Sequence, residues 1–163
     1  MAPASTSTQH EQSVHLLDDL DRLILNTLLR DARTPFLEIS RLAGVSGGTI
    51  HQRVDKLREA GVIEGSQLTI QYERIGLGVT ALLGVHIQKA RMIKRVVDGL
   101  RELPEVVEAY YTTGSYALII KVHVANMRAY HRFLTEGIQM VEGVRFTESF
   151  ICLDQPISRS VQL

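Results

Sequence analysis

The sequence is short of several things whose absence narrows its function. Cys152 is the single cysteine in 163 residues. No disulfide can therefore close within the chain, and such sparing use fits a reducing compartment. No apolar run reaches the roughly 20 residues that a helix needs to cross a bilayer. The opening stretch MAPASTSTQHEQSVH has neither the basic nor the apolar region of a secretory signal. These absences predict a soluble, cytoplasmic protein with no membrane partner. Residues 1–15, rich in Ser, Thr, Ala and Gln, read as a flexible tail.

A surplus of charge is missing as well. Eighteen basic and 18 acidic residues cancel to a formal net charge of zero. The chain thus lacks the overall positive charge common among nucleic-acid binders. A local basic surface stays open, because neutralising phosphates takes only a few well-placed Lys or Arg. Catalytic signatures are absent too: there is no nucleophile–base pair, no phosphate-binding loop and no CxxC. The expectation is a protein that is not an enzyme and carries neither cofactor nor metal. His86 and His123 fall on strands expected to be neighbours, but no third ligand and no Cys/His spacing accompanies them. Partial burial at an interface is the plainer reading for both. Cys152 reads as a small buried hydrophobe.

What is present is enough apolar material for a core: 45% of residues, beside 22% charged. The length suits one ordinary domain or two small ones, and the periodicity divides it into two. Residues 17–60 carry helical spacing. Leu20, Leu23, Ile24, Thr27 and Leu28 share one face of a first helix, with Asp18, Asp19 and Asp21 at its start, where the helix dipole favours negative charge. Pro35 suits the first position of a second helix, roughly 35–43, which is expected to bury Phe36, Ile39, Leu42 and Ala43. Gly44-Val45-Ser46 makes a turn, Ser46 caps a third helix, and Gly61 ends it. Ile50, Val54 and Leu57 form its buried stripe.

Residues 62–73 alternate and look extended. Beyond them the pattern becomes strand 78–88, helix 90–103, strand 106–113, strand 116–124, a helix capped by Asn126 and running through Val141, and strand 144–153. This βαββαβ order is the ferredoxin-like arrangement. The expected architecture is α+β: an N-terminal, winged-helix-like helix-turn-helix domain over 16–64, a linking strand over 65–77, a ferredoxin-like domain over 78–157 and a tail over 158–163. In the first strand Ala81, Leu83, Val85 and Ile87 alternate with Leu82, Gly84 and His86, so both faces are largely apolar. Two helices cover one face. The economical cover for the other is a second copy of the chain, giving a two-fold dimer.

In a helix-turn-helix the N-terminal part of the recognition helix meets base edges. At about 100° per residue, Gly48, Thr49, Gln52, Asp55 and Lys56 point away from the Ile50/Val54/Leu57 stripe, flanked by His51 and Arg53. Gly47, Gly48, Thr49 and Gln52 are expected near bases of double-stranded DNA, with His51 facing DNA or solvent. Gln can pair with adenine and Thr can touch a thymine methyl. Arg41, Arg53 and Lys56 are better placed for phosphates. Gly47 and Gly48 weaken the first turn but let backbone N–H groups approach phosphate.

The run LDDLDRLILNTLLRDARTPFLEISRLAGVSGGTIHQRVDKLREAGVIEG resembles the N-terminal domain of the Lrp/AsnC, or feast/famine, family of transcription regulators. The opening LDxxDxxIL, the RDxR after the first helix and VSxxTIxxRVxxLxxAGVI carry the likeness. TTGSYALIIKV and ANMRAYHRFL are similar to parts of that family's effector and oligomerisation domain. The resemblance spans roughly 16–157. It implies a homodimer that assembles to octamers, DNA binding as a dimer, and an amino-acid-like effector. It places Ser46, Thr49 and Arg53 in the recognition-helix motif and Thr113, Gly114, Ser115, Tyr116 and Ala117 in the effector loop. Ser115 and Ala117 stand where the family usually carries acids, so the loop lacks a carboxylate for an ammonium group. A different effector, a site using other groups such as Glu148, or no effector at all would each follow. Tyr110, Tyr111 and Tyr116 surround this loop and read equally as pocket lining or packing. Two other functions stay open: an enzyme like the sirohaem decarboxylases, which resemble this family, and a ligand-binding module that does not bind DNA.

Overall fold

The computed structural model describes residues 15–163. The tail expected over residues 1–15 therefore lies, His15 apart, outside the described residues. The chain divides into two compact units: the residues up to Leu68 together with Arg159–Leu163, and Thr69–Ser158.

The first unit is built on three helices. Helix α1 spans Asp19–Arg30, and its start is tied by a reciprocal cap. The Asp21 N–H donates to the Asp18 carboxylate at 2.8 Å, while the Asp18 N–H donates to the Asp21 carboxylate at 3.3 Å. Two N–H groups that the helix leaves orphaned are thereby satisfied. Helix α2 spans Phe36–Ala43 and ends at Gly44, whose φ of 67° is left-handed. Pro35 stands one residue ahead of the position expected for it, as an extended cap. Helix α3 spans Gly47–Glu59. Ile24, Leu25, Ile39, Ile50, Val54 and Leu57 form the core, with Phe36 and Ala43 half-buried against it. Leu42, expected inside, is 63% exposed. The buried stripe of α2 runs through Phe36, Ile39, Ser40 and Ala43, and position 42 lies about 110° around the helix from its centre. At the far end of the chain, Leu163 is gripped by the Asn26 side chain of α1. Asn26 Nδ2 donates to its carbonyl at 2.8 Å and Asn26 Oδ1 accepts its N–H at 3.0 Å.

Residues 65–77 do not form the expected linking strand. They run without regular structure to a single 3-10 turn at Tyr72–Ile75. Alternation alone does not make a strand; a ladder partner must take up its N–H and C=O groups, and among the described residues none pairs with this segment.

The second unit is a four-stranded antiparallel sheet with helices on one side. Its elements are β1 (Val79–Ile87), α4 (Ile93–Arg101), β2 (Val106–Tyr111), β3 (Leu118–Val124), α5 (Met127–Arg132) and β4 (Val144–Cys152). The strand order is β2-β3-β1-β4, as the ferredoxin-like reading requires. Ala81, Leu83 and Val85 of β1 join Leu118, Ile120, Val122, Val96, Leu100, Tyr130, Phe133 and Ile138 in one core under the helices. The helix expected to run from Asn126 through Val141 is regular only as far as Arg132. It widens to a π turn at Phe133–Gly137 and tightens to a 3-10 turn at Ile138–Met140. This irregular end keeps Phe133 and Ile138 buried while the chain turns toward β4.

Among the described residues of this unit, no helix lies over the other sheet face. Register places Thr80, Leu82, Gly84 and His86 of β1 beside Cys152, Phe150, Glu148 and Phe146 of β4. Beyond them stand Ile119, Lys121 and His123 of β3 and Glu108 and Tyr110 of β2. Tyr110, Phe146 and Phe150 are each about half exposed.

Candidate nucleic-acid interface and effector loop

Two sides of α3 do different work. Ile50, Val54 and Leu57 are all but fully buried, and Gly48, His51, Gln52 and Lys56 are exposed, with Thr49 half-buried. Ser46 starts the helix: its Oγ accepts the Thr49 N–H at 3.1 Å and shares a hydrogen bond with Thr49 Oγ1 at 2.9 Å. His51 lies edge-on to Phe36 of α2, ring centroids 4.6 Å apart. Arg41, in the last turn of α2, is exposed.

Gly47 and Gly48 are not required by the protein's own packing. A methyl group at 47 would meet nothing within 4 Å, and at 48 only Ser46 Oγ at 3.7 Å, with neither backbone in the left-handed region. Glycine in a helix turn is less favourable than alanine by roughly 0.5–1 kcal/mol. A turn left bare at that cost leaves room for something outside the chain to come close.

Arg53 is placed differently from the phosphate contact expected of it. Its guanidinium turns toward α1, pairing with Asp18 and, at 3.2 Å, with the buried carboxylate of Asp21. The Asp21 N–H and the Arg53 guanidinium hold the Asp18 carboxyl below its usual range. Arg53 is in turn held protonated more firmly by Asp18. Arg53 thus fastens α3 to the start of α1, and its charge is already partnered. The burial of Asp21 was hidden in the sequence, because one of three acids at a helix start looks like an ordinary dipole partner.

In the second unit the loop between β2 and β3 is closed by the Thr112 N–H donating to the Ala117 carbonyl at 3.1 Å and Thr112 Oγ1 to the Tyr116 carbonyl at 2.6 Å. The Ala117 N–H donates to Val85 of β1 at 3.0 Å. Thr113, Gly114 and Ser115 are exposed at its tip, and a Cβ at Gly114 would meet nothing within 4 Å. Tyr116 does not join them. It folds back over the open sheet face and donates from its hydroxyl to Glu148 Oε2 at 2.7 Å. Glu148, a candidate replacement for the missing loop acids, already serves Tyr116. Tyr110 and Tyr111 are exposed, the former donating to Glu108 at 2.6 Å. That hydrogen bond, aided by Lys121 at 3.1 Å, keeps Glu108 below the usual carboxylate range.

The two histidines of the sheet do not meet. His123 lies opposite Thr80, whereas His86 is six residues further along β1, about 20 Å away at the rise of a strand. His123 is buried, stacked on Tyr72 at 4.1 Å and hydrogen-bonded to Thr80 Oγ1 at 2.9 Å. Burial, then the positive charge of Lys121, pushes it below the ordinary histidine value. His86 stacks on Phe146 at 4.0 Å on the open face. Among the described residues no three His, Cys, Asp or Glu side chains gather where a metal could sit, and no helix is long and apolar enough to cross a membrane. Cys152 is half-buried on the open face rather than fully inside.

Residues 17–58 match the AsnC-type helix-turn-helix domain, and residues 80–162 match the Lrp/AsnC ligand-binding domain. The chain belongs to the Lrp/AsnC family. It is 38% identical over 149 residues to the regulatory protein AsnC of Haemophilus influenzae, covering 91% of this chain and 99% of that one. The solved structure of Escherichia coli AsnC superposes with a TM-score of 0.87 at 37% identity, over 91% of this chain and all of that one. A feast or famine regulatory protein from Mycobacterium tuberculosis, solved with L-methionine, matches with a TM-score of 0.84 at 28% identity, over 91% and 100%. This Lrp/AsnC protein is therefore a DNA-binding transcription regulator with an α+β fold; residues 17–58 fall within the first unit, and residues 80–162 take in most of the second.

Proposed function

We propose that this regulator binds double-stranded DNA as a homodimer, with the outer side of α3 in the major groove. On this reading Gly47, Gly48, Thr49 and Gln52 meet base edges, Ser46 sets the first turn, His51 flanks the groove, and Lys56 and Arg41 contact phosphates. Arg53 supports the helix from behind. The observation that carries the reading is the α3 surface itself: a capped rod anchored on one side by Ile50, Val54, Leu57 and the Arg53 pair, whose other side is polar, exposed and bare at its first turn.

The open sheet face supports the dimer. Exposed Leu82, Tyr110, Phe146 and Phe150 on one flat surface are what a second copy would cover, and such dimers would assemble further into octamers. The tip of the 113–117 loop, with uncrowded Gly114, would receive a small amino-acid-like effector; a relative solved with L-methionine supports that class of ligand. Ser115 and Ala117 give the loop no acid, so the ammonium group would find its partners elsewhere. The relatives being regulators supports a protein without enzymatic activity of its own, working in the cytoplasm.

Genome-wide footprinting of the purified protein, with and without candidate metabolites, locates its sites. Titration of one such site then tests the residues. Gln52→Ala is expected to relax site preference. Lys56→Ala should weaken binding to all sequences alike and reduce the salt slope by about one phosphate contact per protomer. Parental affinity and selectivity in both variants would reject the assignment.

A further inference from the structure

Tyr116 sits in a seat that only this sheet position could offer. Gly84, at the centre of β1, is buried beneath its ring, and a methyl group there would overlap three ring atoms. Every other residue from Val79 to Ile87 in β1 carries a side chain, and glycine within a strand marks a close approach. Across the ladder from Gly84 stands Glu148, which accepts the Tyr116 hydroxyl. His86 meets the ring edge-on at 5.1 Å and Phe150 at 6.3 Å, both within the range of favourable aromatic pairs. The backbone of the same residue closes the loop, its carbonyl accepting from Thr112. One residue thus belongs to the loop by its main chain and to the open face by its side chain.

We propose that Tyr116 is a positioning residue clamped between Gly84 and Glu148, which links the shape of the 112–117 loop to the surface that the open sheet face presents to a second copy. The proposal rests on reading that face as the dimer surface and that loop as the effector site. When the ring is seated, it fills the notch over Gly84 and completes the aromatic row Phe146–His86–Tyr116–Phe150. When it lifts, the loop loses its anchor, the row is interrupted, and Glu148 is left without its partner on a surface that dimerisation would desolvate. A ligand that favours one loop shape would then favour one state of the face, by reciprocal linkage.

Hydrogen exchange and sedimentation of the full chain test this with three disrupting substitutions and one conservative one. Tyr116→Phe removes only the hydroxyl, Glu148→Ala removes its acceptor, and Gly84→Ala closes the seat. Each should raise amide exchange across residues 113–117 by about tenfold, the loss of one hydrogen bond. Each should also raise the dimer dissociation constant several-fold. Glu148→Gln, which keeps an accepting oxygen, should recover most of both, which a merely structural carboxylate would not require. If Gly84→Ala does not fold, the two single-group variants decide. A dimeric parent whose variants match it in either measurement overturns the clamp alone. A parent that stays monomeric at its highest soluble concentration overturns the dimer reading and the link with it.

Discussion

At the scale of single residues, α3 separates the groups that hold the fold from those proposed to read DNA. Asp21 and Arg53 hold. Asp21 caps α1 and accepts from Arg53 while nearly buried, so Asp21→Ala should lower the stability of the first unit by about 1–2 kcal/mol in chemical denaturation. Gly47 and Gly48 behave in the opposite sense. Alanine at either should stabilise the folded unit by about 0.5–1 kcal/mol, while fluorescence anisotropy shows weaker DNA binding. Binding left intact by both alanines would mean that nothing approaches the bare turn. The outer side of α3 was legible in the sequence, because burial of Ile50, Val54 and Leu57 dictates what is left outside. It could not show Arg53 turning inward: a guanidinium beside a polar stripe reaches phosphate or carboxylate equally well, and only the fold brings Asp18 and Asp21 within its reach. Asn26 holding Leu163 was equally hidden, since nothing in an amide on a helix names a backbone 137 residues away.

At the scale of elements, the strand order and the helix count were legible because hydrophobic periods of 2 and 3.6 are both long in this chain. Irregular pieces were not. The π turn after α5 keeps the same residues inside as a continuous helix would, so the apolar pattern is blind to it. The 65–77 segment alternates like a strand yet finds no ladder, because pairing is a property of two segments. Within the sheet, His123 makes stability depend on pH. Tyr72, Thr80, Lys121 and Glu108 surround it, and burial lowers its proton affinity below that in the unfolded chain. The neutral form is thus favoured by folding. The second unit keeps this contribution above the ordinary value near 6.5 and loses it as pH falls below that. Urea denaturation between about pH 5 and 8 should show the loss, and His123→Gln should flatten it. A slope unchanged by the substitution would place the dependence elsewhere.

At the scale of the whole molecule, a neutral chain must bind a polyanion through local charge. If Lys56 and Arg41 are the phosphate contacts, with Arg53 already partnered, a dimer would neutralise about four phosphates and the salt dependence of binding should be shallow, near −3.6 in log–log slope. A markedly steeper slope would show that other basic residues reach the duplex. If the open sheet face is covered by a second copy, the melting temperature should rise with protein concentration. A Tm that is flat across a hundredfold dilution series would count against the dimer.

The division of labour on α3 also makes the protein a workable scaffold for retargeting. Gly48, Gln52 and Asp55 carry no cap, core contact or ion pair to α1, so a library randomised at these three codons should remain mostly folded. Selection from it could move the regulator to new operators while the sheet unit is left unchanged.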